Sequence, residues 1–180
     1  MLDKQEAIES IDSFLGEKEI EVLKTLTPDI LRMFMSKKIR LDTSYYIRGT
    51  RKLLTQFKAF YLASCLKGVV RPKYSLQMIT ERASLLCNGS TDDIVVDEVL
   101  FLYAHKNDID LGNSETWLAK TIVNDVANRN RKGYVTIILS ERDLEGIKAS
   151  GELKFIRLTG SKKVRNTDGT SISRDSAKFN

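Results

Sequence analysis

Residues 44–68 read SYYIRGTRKLLTQFKAFYLASCLKG. An apolar run, Ser44–Ile47, meets Gly49, then a basic turn, then a long amphipathic pattern. That order suits a phosphate-binding loop. Such a loop needs glycine so that backbone N–H groups close around an anion, a lysine for the outer phosphates and a hydroxyl for magnesium. Gly49, Thr50 and Lys52 are the nucleotide-binding candidates. Arg51 stands where a second glycine is wanted, and Leu53 where Ser or Thr is wanted. The upstream glycine of GxxxxGK[ST] is missing, because Tyr45, Tyr46 and Ile47 run straight into Arg48. The loop is degenerate.

The second chemical stretch is Asp93–Glu98, DIVVDE. An apolar strand ending in Asp-Glu is the Walker B pattern, in which the aspartate orders magnesium and the glutamate polarises a water. Asp97 and Glu98 are therefore the catalytic candidates for an ATPase. The same acids with Asp92 and Asp93 could build a nuclease. Two-metal chemistry needs carboxylates on neighbouring strands around ions about 4 Å apart, and YVTIIL offers no matching motif. The single histidine, His105, lies in the polar stretch AHKNDID and reads as a surface residue. One histidine and two cysteines, Cys65 and Cys87, without metal-type spacing argue against a zinc site. The cysteines read as buried free thiols of a reducing compartment, and a cytoplasmic location is expected.

Charge is uneven. Residues 1–30 carry eight acids and three lysines, whereas residues 31–73 carry eleven Lys/Arg against one acid, Asp42. The basic segment could face phosphates, or could balance the acidic N-terminus and 92–110. Arg48, Arg51, Lys58, Arg129 and Arg131 are the nucleic-acid candidates, with Lys52 beside them. Arg129 and Arg131 also suit the negative end of a helix dipole. No run of about 18 apolar residues exists, so no membrane span is expected.

The elements that must position these residues follow from periodicity. Helical spacing covers 3–15 and 17–26. Thr27-Pro28-Asp29 starts a further helix to about Lys37. Strands are expected over 44–47 and 73–77, and helices over 52–66 and 79–86. DIVVDEVLFLY reads as a strand buried on both sheet faces. A helix over 115–131, with Trp117 packed in the core or an interface, stops at Gly133. YVTIILS is a second buried strand, DLEGIKAS a short helix and KFIRLTG a last strand. Strands alternating with helices predict an α/β fold with a largely parallel sheet flanked by helices. The expected organisation is a helical N-terminal region (1–41), an α/β domain (42–165) and a polar, mobile tail (166–180).

In order and spacing, GTRKL, IVVDE, NRNRKG, ILSER and LTGSKKVR resemble the phosphate loop, Walker B strand, basic helix end, sensor strand and closing strand of DnaC-type helicase loaders and IstB-type transposition ATPases. The likeness spans 44–165. It implies a P-loop NTPase-like fold with an eroded phosphate loop, a helicase or ATPase as protein partner, and DNA as a second partner. Departures accompany it: Arg51 and Leu53 in the loop, Glu141 where the family places a sensor asparagine, and IKASGEL running into KFIRL without the family's inter-subunit arginine segment. What the resemblance implies is an adaptor of DNA replication or recombination that kept its sheet, lost turnover and needs no cofactor. The alternative is an active Mg-ATPase, with Lys52 on phosphates, Asp97 on magnesium and Glu98 on water. Without the bridging arginine a monomer or two-fold dimer is expected rather than a ring.

Overall fold

The computed structural model describes residue 24, the ranges 28–36, 38–65, 72–89, 97–107 and 117–159, and three short strands beyond residue 160. In chain order the elements are α1 (Pro28–Met35), β1 (Tyr45–Arg48), α2 (Arg51–Cys65), β2 (Tyr74–Met78), α3 (Ile79–Cys87), β3 (Val99–Ala104), α4 (Trp117–Arg131), β4 (Val135–Ser140), α5 (Glu145–Lys148), β5 (Lys154–Leu158), β6 (Lys162–Arg165), β7 (Ser171–Arg174) and β8 (Ala177–Phe179). They fall into two compact units. One holds 42–49 and 72–156; the other holds 1–41, 50–71 and 157–180.

The first unit carries five parallel strands in the order β2-β3-β4-β1-β5. Every residue of β4 is buried, as are all but one of β3. Unbroken apolar runs of this kind belong inside a parallel sheet covered on both faces. In register, Ile47 of β1 lies opposite Leu139, and Phe101 of β3 opposite Ile137. Alternation sends Tyr46, Leu100, Leu102, Ala104 and Ile138 to one face, where they form a core with Ile79 and Ala83 of α3, Leu118, Ile122 and Val126 of α4 and Ile147 of α5. Full burial of one such Leu or Ile contributes about 1.5–3 kcal/mol.

The amino ends of the strands are held by polar side chains. Ser44 Oγ donates to Asn130 Oδ1 at 2.6 Å and accepts the N–H of Thr136 at 2.9 Å. Asn130 Nδ2 donates to the Glu152 carbonyl at 3.0 Å. Gly133 follows α4 at φ 78°, a conformation that glycine adopts without a Cβ penalty, and ends the helix as its sequence requires.

In the second unit α2 is enclosed on most sides, with Leu53, Leu54, Gln56, Phe57 and Ala59–Ala63 all buried. Phe57 and Tyr61 stack at 6.3 Å, and the Tyr61 hydroxyl donates to the Leu41 carbonyl at 2.8 Å. α1 packs on α2 with Ile30 and Met33 buried.

Several expectations are corrected. The stretch expected as a polar tail, 166–180, contains two strands, β7 and β8, and β7 pairs antiparallel with β6, Val164 opposite Ile172. Cys87 is exposed and Cys65 partly buried. Trp117 is 56% exposed, which overturns the core half of its expectation and leaves the interface half standing, because it opens α4 at a position off the apolar stripe of Leu118, Ile122 and Val126. The helices expected over 3–15 and 17–26 lie almost entirely outside the described residues.

Candidate functional site

In the sheet order, the chain leaves β1 for β2 at one edge and leaves β4 for β5 in the opposite direction across β1. The two connections part between β1 and β4. In open α/β sheets ligands gather at such a switch point, outside the carboxyl ends of the strands. Three strand ends meet there: Arg48-Gly49 after β1, Glu141 to Asp143 after β4, and His105 after β3. The Gly49 N–H donates to the Ser140 carbonyl at 3.0 Å, and the Glu141 N–H to the Ala104 carbonyl at 3.1 Å, so the three ends stand level.

Glu141 is the centre of this end. Its carboxylate accepts the Tyr103 hydroxyl and lies 3.9 Å from His105 Nε2. His105 Nδ1 accepts the Asn107 N–H at 3.2 Å. Arg48 Nε approaches Asp143 at 3.7 Å, and its Nη1 donates to the Gly49 carbonyl at 3.3 Å. The turn after β4 is fixed from beneath. The Tyr46 hydroxyl donates to the Arg142 carbonyl at 2.6 Å and accepts the Leu144 N–H at 2.9 Å. Ser140 Oγ also donates to the Arg142 carbonyl, at 2.6 Å. Burial pushes the Tyr46 phenol above its ordinary pKa, against the opposing hydrogen bonds from Ser140 and Leu144.

Asp97 and Glu98 are not at this end, which overturns their expected position at the finish of a strand. Both precede β3, which begins at Val99. The Glu98 carbonyl accepts the Val135 N–H at 2.8 Å, and its carboxylate accepts the Lys73 N–H at 3.3 Å. These contacts place the two acids at the amino ends of β2, β3 and β4. Register aligns Arg48 with Ser140 and Ser140 with Ala104. Gly49 is therefore level with His105, eight positions along the chain from Asp97, or roughly 25 Å at strand rise. The end of β3 carries Tyr103, Ala104 and His105 where a magnesium acid would stand.

Mg-ATP does not fit the residues present. Glycines with positive φ among the described residues are Gly89, Gly133 and Gly151, so Gly49 does not contribute the left-handed backbone of an anion nest. The Thr50 hydroxyl caps α2, accepting the Leu53 N–H at 3.4 Å, while the Thr50 carbonyl accepts the Leu54 N–H at 2.9 Å. Leu53 is buried. Arg51 and Lys52 are exposed in the first turn of α2, which holds no acid.

Of the basic candidates, Arg129 turns inward. It is 4% exposed and donates to Thr136 Oγ1 at 3.0 Å, the Asp97 carbonyl at 2.7 Å and the Val135 carbonyl at 3.0 Å. A guanidinium so engaged is structural, which removes it from the nucleic-acid candidates. Burial also lowers its pKa, with Asp125 opposing. Arg131 is exposed and Lys58 partly buried. Arg48, Gly49, Asp97, Glu98 and Arg131 belong to the sheet unit, and Thr50, Arg51, Lys52 and Lys58 to the other.

Sequence reasoning singled out Glu141 but not Tyr46, Tyr103 or Asp143. The tyrosines lie within apolar runs, where an aromatic reads as core. The available signal is position: each is within three residues of a strand's carboxyl end. Among the described residues no helix is long and apolar enough to cross a membrane. Comparisons with protein-family models, curated proteins and solved structures gave no match.

Proposed function

We propose that the chain is a non-catalytic, P-loop-like adaptor of DNA replication or recombination, docking on a helicase or partner ATPase and contacting DNA phosphates. The observation that supports it most is the position of Asp97 and Glu98 before β3, at the amino ends of the strands. Phosphoryl transfer rests on positioning and electrostatics, and carboxylates roughly 25 Å from the loop residue Gly49 at strand rise cannot hold magnesium or aim water there. Binding an anion asks for less. Arg51 and Lys52 are exposed at the positive end of a 15-residue helix whose first turn holds no acid. No observation favours the working ATPase.

Thermal unfolding with millimolar Mg-ATP or Mg-ADP, paired with fluorescence anisotropy of labelled DNA, tests this reading. A nucleotide at about 100 times its Kd would stabilise the protein by about 2.7 kcal/mol. We expect no shift, and salt-sensitive DNA binding that weakens in the Arg51→Ala/Lys52→Ala variant. A nucleotide shift in the wild type that Lys52→Ala abolishes would restore the ATPase; DNA binding that ignores both substitutions would remove the DNA contact.

A further inference from the structure

α4 buries one side and exposes the other. Leu118, Ile122 and Val126 pack into the core of the sheet unit. On the opposite side Trp117, Lys120, Asn124, Asn128 and Arg131 are exposed, and exposed Lys132 follows the helix. At 3.6 residues per turn the five helical positions form one stripe, about 80° wide and about 21 Å long. The stripe carries no acid. The one acid of α4, Asp125, lies off it, partly buried, and accepts from Arg82 Nε at 3.0 Å and Nη2 at 3.2 Å. Among the described residues no ion pair engages Lys120, Arg131 or Lys132. Trp117 stands at the head of this basic stripe, 56% exposed. Tryptophan and arginine are enriched among the residues that carry most of the energy of a protein interface.

Charge selects what such a face can meet. A second copy would set cations against cations. A nucleic-acid strand carries a phosphate about every 3.4 Å along a duplex. Lys120 and Arg131, eleven positions apart, are separated by roughly 16 Å at helical rise, with two uncharged amides between them. About four phosphates of a strand laid along α4 would pass over Asn124 and Asn128 without a cation. A protein segment can instead space its charges to match. On a helix, residues eleven apart lie three turns along the same side and so present two carboxylates at that same separation.

We infer that the exposed stripe of α4 docks an acidic helix of a partner protein, laid antiparallel along it. One partner carboxylate meets Arg131 and Lys132, and a second, eleven positions on, meets Lys120. An apolar side chain three positions further covers the Trp117 indole. Asn124 and Asn128, one turn apart, each offer a donor and an acceptor to uncharged polar groups between the carboxylates. The inference rests on the adaptor reading for the existence of a protein partner, and it supplies the surface and the partner's chemistry.

The chain has one tryptophan, so its emission reports on this face alone. The probe is an alanine-based helical peptide of about 20 residues, with glutamates eleven positions apart and a leucine three positions beyond the second. Its controls are the same peptide with glutamine for glutamate and an oligothymidylate of about 20 nucleotides. The acidic peptide should move the Trp117 emission to the blue, saturably, with a Kd at least tenfold below that of the glutamine peptide. Lys120→Glu/Arg131→Glu should raise that Kd at least tenfold, and a peptide with lysines in place of the glutamates should restore binding to this variant. Both positions are exposed, and circular dichroism checks that the variant folds; Lys120→Gln/Arg131→Gln replaces it if it does not. An emission that the acidic peptide leaves unmoved, or binding indifferent to charge reversal, overturns the inference. A shift caused by the oligonucleotide and not by the peptide overturns it in favour of nucleic acid. The adaptor reading fails separately, by Mg-ATP stabilisation that depends on Lys52, a residue of the other unit.

Discussion

A buried arginine and a surface arginine two residues apart on α4 carry opposite expectations. Arg129 supplies hydrogen bonds to the carbonyls of Asp97 and Val135 and to Thr136. Arg129→Ala leaves those neutral acceptors unpaired inside the sheet unit, and a buried acceptor stripped of its partner costs about 1–3 kcal/mol. Arg131→Ala, at an exposed position, should change stability by no more than about 0.5 kcal/mol. Urea unfolding of both variants checks this; equal effects would mean that Arg129 does not hold the strand ends. Cys65 gives a pH expectation. Burial pushes its thiol from 9.0 up to about 12, only partly opposed by Tyr61. The folded-state pKa is raised, so the contribution is complete below pH 9 and is lost as pH rises towards 12. In that window the unfolded chain releases a proton that the folded chain keeps, and stability falls by about 1.4 kcal/mol per pH unit. Cys65→Ala should flatten the alkaline limb of a stability-versus-pH curve.

At the scale of elements, long periodic segments were legible and their chemical ends were not. β4 and α4 follow from an unbroken apolar run and from a stripe at Leu118, Ile122 and Val126. Asp97-Glu98 misled because an apolar stretch precedes it in the sequence, IVV, and a longer one follows, VLFLYA. Local pattern cannot tell which side is the strand. The choice is made by partners distant in sequence: Arg129 takes the Asp97 carbonyl and Val135 the Glu98 carbonyl. The Tyr103–Glu141–His105 cluster was hidden for the same reason, since strand order brings it together. The cap of α2 was open to reading, as Thr50 precedes the helix. Thr50→Ala should cost about 0.5–1 kcal/mol, the low end for an exposed cap, measured by chemical unfolding. The edge position of β2 makes an alternating expectation. The amides of Leu76 and Met78 should exchange with solvent deuterium much faster than those of Ser75 and Gln77. Uniform exchange along the strand would contradict its parallel register with β3.

For the whole molecule the decisive feature is where the bases are, not how many there are. The net charge of +5 is modest. In the sheet unit Arg48 approaches Asp143, Arg82 makes a bidentate pair with Asp125, and Arg129 is buried. Arg32, Lys38, Arg40, Arg51 and Lys52 are exposed in the other unit, while the sheet unit exposes Lys73, Lys106, Lys120, Arg131, Lys132 and Lys154, so the two units are rival phosphate-facing surfaces. If the unit of Arg51 and Lys52 meets a phosphate backbone, affinity must fall with salt, because each neutralised phosphate releases a counterion. For a single strand the slope of log K against log salt is about −0.7 per phosphate contact. Removing two contacts with Arg51→Ala/Lys52→Ala should make the slope shallower by about 1.4. Arg131→Ala, on the sheet unit, should leave it unchanged. The measurement is an anisotropy titration repeated between about 50 and 200 mM salt. A slope that changes with Arg131 and not with Arg51 and Lys52 would move the contact to the sheet unit, and the first turn of α2 would lose its assigned role.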